Sequence, residues 1–358
     1  MISHQSCKGF ENKVLCDNPL LLKVVSKKAT VMSVWLREPE MNDLSITRIL
    51  VEPVLRRARR DYSVWLNDDD HIMSGDEIIA RSFNSDALMI CHSEVLSKSV
   101  VDRLSDRLKI VANYSVGVDH CDLGALKERG IVVTNTPDVL SDATAEIAIL
   151  LLLGACRRAY EGDQLLRTGS WRNWAPSAMN GIQLTKKKLG IVGMGRVGQT
   201  VAMRARGFDM EIHYSNRRRL PPESEAGAIF HPTLKGLFGG VDMISLNCPA
   251  TPETINLINA DSIGWMKPGV VFVNTARGSL VDETALIEAL NSGHVAAAGL
   301  DVFQVEPGGN PAFAKCPNLF MLPHLGSSTR ETRKAMGDRA LDNLDAYFAG
   351  LEPRDRLI

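Results

Sequence analysis

Three residues suited to moving a proton and holding an anion stand just beyond short apolar runs. Arg277 follows Val270–Asn274, Glu306 follows Ala298–Val302, and His324 follows Phe320–Leu322. A guanidinium binds a carboxylate through a fork of hydrogen bonds. An imidazole titrates in the range where it can hand a proton to a carbonyl oxygen. A carboxylate beside that imidazole holds its orientation and favours its protonated form. Arg277, Glu306 and His324 therefore suit the reduction of a 2-oxo acid. Arg277 takes the carboxylate, His324 gives the proton and Glu306 steadies His324. No other histidine is expected near them and no spacing resembles a zinc site, so no metal is expected.

Such a reduction needs a hydride source, and the stretch Leu189–Thr200 (LGIVGMGRVGQT) supplies a place for one. Leu189–Val192 reads as a buried strand. Gly193, Gly195 and Gly198 follow as G-x-G-x-x-G, and Val197, Val201, Ala202 and Ala205 continue at helical spacing. Gly193 permits a tight turn, Gly195 lets a pyrophosphate approach the backbone, and Gly198 lets helix and strand pack closely. The helix start, at Arg196 and Val197, offers free N–H groups to phosphate. A second strand, Glu211–Tyr214, is followed by Ser215, Asn216, Arg217, Arg218 and Arg219. Folds that prefer NAD usually carry an acid there for the ribose 2′-hydroxyl. Ser215, Asn216 and two or three guanidiniums suit a 2′-phosphate instead, so the cofactor reads as NADP, with NADPH preferred over NADH.

Strands alternate with helices along the chain, which implies parallel sheets covered on both faces. The fold class is α/β, with two doubly wound parallel-sheet domains: a Rossmann-type cofactor domain and a flavodoxin-like substrate domain. Expected strands are Thr30–Trp35, Tyr62–Leu66, Ala87–Cys91, Leu108–Asn113 and Ile131–Asn135 in the first, with helical patterns at Ser45–Arg60 and Ser99–Arg107. The second has Leu189–Val192, Glu211–Tyr214, Ala228–Phe230, Asp242–Asn247, Val270–Asn274, Ala298–Val302 and Phe320–Leu322. Residues 1–28 form an N-terminal extension, 29–138 with 324–358 the substrate domain, and 139–323 the cofactor domain. A buried helix from Ser141 is expected between the two domains, and a final helix, Thr329–Ala349, returns to the first. Ligands in such sheets sit beyond the carboxyl ends of the strands. Cys248 and Pro249, with Thr254 nearby, Thr275, Ala276 and Arg277, and His324 with Gly326 are therefore expected around the cofactor. The loop Ser115–Asp119 can face the same cleft.

Lys and Arg number 41 against 42 Asp and Glu, a near balance that gives no sign of a nucleic-acid-binding surface. No apolar run approaches a membrane span. The seven cysteines are scattered and show no C-x-x-C, so they read as reduced thiols of a cytoplasmic protein.

Taken together, SVGVDH (Ser115–His120), TAE (Thr144–Glu146), the glycine loop, NTARG (Asn274–Gly278), GLDV (Gly299–Val302), VEP (Val305–Pro307) and PHLGS (Pro323–Ser327) resemble the D-isomer-specific 2-hydroxyacid dehydrogenases over nearly all of residues 29–350. SVGVDH, WRNWAP and the basic turn are most similar to the NADP-dependent glyoxylate/hydroxypyruvate reductases. The resemblance implies that Arg277 binds substrate, that His324 is the acid/base paired with Glu306, and that backbone N–H groups at Val116 and Gly117 hold the carboxylate. It also implies Asp301 near the nicotinamide carboxamide and Thr144 near the phosphates or nicotinamide. It further implies a homodimer with Trp171–Pro176 reaching toward the partner. Ser93, in the loop Cys91-His92-Ser93-Glu94, is an expected substrate contact. That loop lacks the Arg of phosphoglycerate-type members, which speaks against a phosphorylated substrate. The expected activity is NADPH-dependent reduction of glyoxylate and hydroxypyruvate. Two alternatives stay open: an NAD-linked dehydrogenase for a bulkier 2-hydroxy acid, and a nucleotide-dependent corepressor-type binding protein.

Overall fold

The computed structural model describes residues 41–358 and, before them, two short strands, β1 (Leu22–Val24) and β2 (Met32–Val34). The chain forms two units, Met1–Asn42 and Asp43–Ile358. In the first, β1 and β2 pair antiparallel with Leu22 opposite Val34. The expected strand Thr30–Trp35 is therefore not the head of a parallel sheet. Its described part, Met32–Val34, belongs to a hairpin, and the remainder lies outside the described residues, as does most of the expected extension. The compact body starts at Asp43, not at residue 29.

That body opens on a strand where a helical pattern was expected. β3 (Asp43–Ile46) is short, and Ser45 interrupts its apolar run. The buried Ser45 hydroxyl is satisfied by the Ser85 hydroxyl at 2.7 Å, so a polar residue fits inside the sheet. The helix begins only at Glu52 and runs to Asp61, with a proline in its first turn. β4 (Ser63–Leu66), β5 (Ala87–Ile90), β6 (Ile110–Asn113) and β7 (Val132–Thr134) complete a parallel sheet in the order β4-β3-β5-β6-β7. Renumbered within the lobe this is 2-1-3-4-5, the flavodoxin-like order. The expected helix Ser99–Arg107 is only a single turn, Lys98–Val101.

The second lobe holds seven parallel strands: β8 (Lys188–Val192), β9 (Glu211–Ser215), β10 (Ile229–Phe230), β11 (Met243–Leu246), β12 (Val270–Asn274), β13 (Val295–Leu300) and β14 (Leu319–Met321). Their order, β10-β9-β8-β11-β12-β13-β14, is the Rossmann order with one strand added. Between β8 and β11 the connections turn in opposite directions, and a crevice opens at the strands' carboxyl ends. β11 and β12 are buried throughout, as strands covered by helices on both faces must be.

The helix Ser141–Cys156 is buried, but on one lobe. Its Ala145, Ala148, Leu151 and Leu152 share a core with Leu189, Ile191 and Val271. It covers a face of the seven-stranded sheet and does not fill the space between lobes. The last helix, Arg330–Phe348, returns to the five-stranded lobe, where Met336, Ala340, Leu341 and Leu344 join Val54 and Leu55. Among the described residues no helix is long and apolar enough to cross a membrane.

Candidate active site

The carboxyl ends of both sheets face one cleft of about 670 Å³. Its second-lobe wall carries Thr144, Arg196, Val197, Cys248, Pro249, Thr275, Ala276, Arg277 and Asp301, and His324 and Gly326 line it beside them. Its first-lobe wall includes Val116, Gly117 and Asp119.

Arg277 reaches across the cleft. Its Nε donates to Asp119 Oδ1 at 3.0 Å and its Nη1 to the Ala276 carbonyl at 2.8 Å. Its Nη2 lies so close to Gly117 that a Cβ there would stand 1.8 Å away. A side chain there would have to displace the Arg277 guanidinium, so glycine suits the position for contact and not for backbone conformation. Asp119 thus enters the candidate site, a residue that the sequence reading did not single out. Burial raises its carboxyl, but the charge and hydrogen bond of Arg277, together with its own backbone N–H and the neighbouring His120, more than offset that and hold it below the usual range. The loop carbonyls are also tied down: Asn113 Nδ2 donates to Gly117 O at 2.9 Å and Asn135 Nδ2 to Val116 O at 3.0 Å. The N–H groups of Val116 and Gly117 donate to no acceptor among the described residues, and this loop borders the cleft.

His324 occupies left-handed backbone, φ +54°, a costly conformation for a non-glycine residue. Asp301 holds it there. The Asp301 carbonyl accepts the His324 N–H at 2.8 Å, and its carboxylate accepts the N–H groups of Leu325 and Gly326 at 2.7 and 2.8 Å. Burial nevertheless pushes the Asp301 carboxyl up to about 6. Both its oxygens are thus engaged by the turn, a task that sequence reasoning had not given it. Thr144 completes the brace, its hydroxyl donating to Gly326 O at 3.1 Å. His324 Nδ1 meets Glu306 Oε2 at 2.5 Å, which leaves Nε2 for substrate. Burial raises the Glu306 carboxyl, and the hydrogen bond and charge of His324 more than reverse this, so it stays ionised.

A second histidine joins them, contrary to expectation. His92 packs against His324 with ring centroids 4.6 Å apart and the planes tilted by 41°, and its Nε2 is 4.0 Å from Glu306 Oε2. Ligand-type atoms of His92, Glu306 and His324 lie within 4.8 Å of one another. The shortest of these separations, between His324 and Glu306, is that of a hydrogen bond. Ser93, the expected substrate contact in the same loop, turns away. Its hydroxyl accepts from Arg48 at 3.0 Å and donates to Glu94 at 2.8 Å. A lone histidine carries no spacing signal, which is why the sequence does not single out His92.

The glycine loop fits a dinucleotide. Gly193 has φ +91°, and a Cβ there would stand 2.6 Å from Cys248 N. At Gly198 a Cβ would meet Gly193 O at 2.3 Å. At Gly195, by contrast, it would meet no protein atom within 4 Å, so the space above is open to a ligand. Gly195 caps the helix Arg196–Arg206 without a side-chain bond, leaving its first N–H groups free. Two buried oxygens at neighbouring strand ends, Thr275 Oγ1 and Asn247 Oδ1, have no partner among the described residues and belong to residues that border the cleft. Arg196 meanwhile pairs with Asp138 in the hinge.

The turn after β9 is divided in its tasks. Ser215 is buried, and its carbonyl accepts the Gly193 N–H at 3.0 Å. Asn216 Oδ1 accepts the Met194 N–H at 2.6 Å. Both therefore brace the glycine loop. Arg219 is bound to Glu225 at 2.7 and 3.0 Å, so it is not the third guanidinium expected for a phosphate. Arg217 and Arg218 are exposed and in no ion pair among the described residues. Thr254 does not line the cleft; its hydroxyl donates to Pro249 O at 2.9 Å and holds the turn after β11.

Residues 149–326 match the family described as D-isomer specific 2-hydroxyacid dehydrogenase, NAD binding domain. The chain is 44% identical over 309 residues to a glycerate dehydrogenase of Hyphomicrobium methylovorum, covering 86% of this chain and 96% of that one. It is 40% identical over 313 residues to a glyoxylate reductase of Pyrococcus furiosus, covering 86% and 93%. A solved structure of an NADPH-dependent glyoxylate/hydroxypyruvate reductase from Sinorhizobium meliloti, in complex with NADP and malonate, superposes with a TM-score of 0.79 at 33% identity, covering 88% and 97%. With Arg277, Glu306 and His324 assembled beside a dinucleotide loop, the chain belongs to the D-isomer-specific 2-hydroxyacid dehydrogenases.

Proposed function

We propose that this enzyme reduces small 2-oxo acids, glyoxylate to glycolate and hydroxypyruvate to D-glycerate, with NADPH. The observation that carries the reading is the meeting of Arg277, braced by Asp119, with the His324–Glu306 pair in one cleft. The substrate carboxylate lies on the N–H groups of Val116 and Gly117 and on the free face of Arg277. Arg277 also polarises the carbonyl. The nicotinamide cofactor, when bound, supplies the hydride that goes to the carbonyl carbon. His324 Nε2 gives its proton to the carbonyl oxygen, and Glu306 stabilises the charged imidazole before that transfer. The glycine loop and the helix start at Arg196 hold the pyrophosphate, with Thr275 and Asn247 as further polar partners. Arg217 and Arg218 take the 2′-phosphate. The relatives named as glyoxylate reductase and glycerate dehydrogenase support this substrate class.

Two further features belong to the reading. The helix Ala159–Arg167 buries none of its residues, and Tyr160, Leu166, Trp171 and Trp174 stand exposed around it. A second copy of the chain would cover them, giving a homodimer; light scattering should return twice the mass of one chain. Cys91, Cys121, Cys156, Cys248 and Cys316 are in no disulfide among the described residues, which suits a reducing, cytoplasmic setting.

The test mixes purified protein with glyoxylate or hydroxypyruvate and follows oxidation of NADPH and of NADH at equal concentrations. Faster oxidation of NADPH is expected. Equal or faster oxidation of NADH would overturn the cofactor reading. No oxidation with either, despite nucleotide binding, would overturn the substrate reading.

A further inference from the structure

We propose that His92 is a specificity-determining residue that hydrogen-bonds the C3 substituent of the substrate, favouring 2-oxo acids with a polar C3 group over those with an apolar one. The inference rests on the 2-oxo acid reading above.

The first-lobe loop that carries His92 is firmly held. Glu94, fully buried, accepts the Cys91 N–H at 3.0 Å and the Thr47 hydroxyl at 2.9 Å, while Ser93 donates to its other oxygen. His92 is thus presented to the cleft by a braced turn. Its ring lies at a tilt against that of His324, the proton donor, with centroids 4.6 Å apart. The geometry around the reacting carbon then assigns directions. The carboxylate is committed to Arg277 and the Val116–Gly117 loop. The carbonyl oxygen is committed to Arg277 and His324. The hydride arrives from the second lobe, where the glycine loop lies. The one remaining direction from C2, that of C3, is assigned by this proposal to the first-lobe wall of the cleft, which His92 lines.

His92 is also in the right state for this task. Partial enclosure in the cleft, together with the neighbouring His324 and Arg277 charges, lowers its pKa to about 4 although 42% of the side chain stays exposed, so the ring is neutral at ordinary pH. A neutral imidazole offers one N–H donor and one bare nitrogen acceptor. A hydroxyl satisfies either. A methyl group satisfies neither and leaves the ring nitrogen unpaired, which is how a polar site rejects an apolar analogue.

Kinetics with three substrates and NADPH test the proposal: hydroxypyruvate (C3 hydroxyl), pyruvate (C3 methyl) and glyoxylate (no C3). In the unmodified enzyme kcat/KM should be higher for hydroxypyruvate than for pyruvate. His92→Leu should reduce that ratio about 10- to 100-fold, the size expected for one lost hydrogen bond to a confined group. The loss with glyoxylate should be smaller. His92→Gln should recover part of the ratio. NADPH binding by fluorescence checks that each variant is folded, and His92→Phe repeats the comparison if the leucine variant is not. An unchanged ratio, or equal loss on all three substrates, would overturn the role of His92 while leaving the proposed activity in place. Failure of the unmodified enzyme to turn over any of the three would instead overturn the underlying reading.

Discussion

The two ends of the cleft are built on different principles. At the reacting end every key side chain is held by a neighbour. Asp119 and the Ala276 carbonyl hold Arg277, Glu306 holds His324, and Asp301 holds the left-handed turn that presents it. At the far end Arg217 and Arg218 stand in solvent with no ion-pair partner among the described residues, while Ser215 and Asn216 serve the glycine loop. Preorganised groups near the reacting atoms act in a partly dry setting, where misplacement is costly. Exposed charges act through water and are worth little apiece. On the proposed reading, catalysis is therefore concentrated in few residues, whereas cofactor preference is spread over weak contacts.

Breaking the first end should have the largest effect. His324→Ala removes the proton donor, and kcat should fall by about 10²- to 10⁴-fold, the usual worth of a positioned general acid. Fluorescence titration should find NADPH affinity unchanged; full turnover would refute the assignment. Arg277→Lys keeps the charge but loses the fork, and kcat/KM should drop on the order of 10²-fold, mostly through KM. Gly117→Ala tests the close approach of the two lobes. The added Cβ would overlap Arg277 Nη2, so the guanidinium must shift, and kcat/KM should fall by roughly 10- to 100-fold without loss of cofactor binding. Wild-type kinetics in that variant would show that the contact is slack. The smallest effect belongs to the far end. Arg217→Ala with Arg218→Ala should lower the NADPH-over-NADH preference by about tenfold, and added salt should shrink the difference. A preference untouched by both changes would place the 2′-phosphate elsewhere.

The same contrast governs what can be read from the letters. Arg277 and His324 are legible because each follows a buried strand whose apolar run is unmistakable, and such ends converge in a doubly wound sheet. The glycine loop is legible because strand, glycines and helix occur in order. β3 was hidden because four residues containing a serine look no more like a strand than like the start of a helix. The stretch Thr30–Trp35 misled in the opposite sense, since β-branched and apolar residues suit a hairpin as well as a parallel strand. Asp119, His92 and the bracing task of Asp301 depend on pairings across the cleft or across a turn, which no local pattern encodes. Arg219 illustrates the converse: its letter suits phosphate, and Glu225 has already claimed it.

The return of the last helix to the first lobe has a consequence for how the molecule is made. Met336, Ala340, Leu341 and Leu344 complete a core begun by Leu44, Val54 and Leu55, and Arg57 is bonded to Asp342, 285 positions further along. On the ribosome the N-terminal half of that core emerges first and must wait, its apolar surface uncovered, while the whole seven-stranded lobe is synthesised. The second lobe, contiguous in sequence, can close as soon as β14 is out. The order of folding is then the reverse of the order of synthesis for the two lobes, and the early segment is the one that most needs shielding from aggregation.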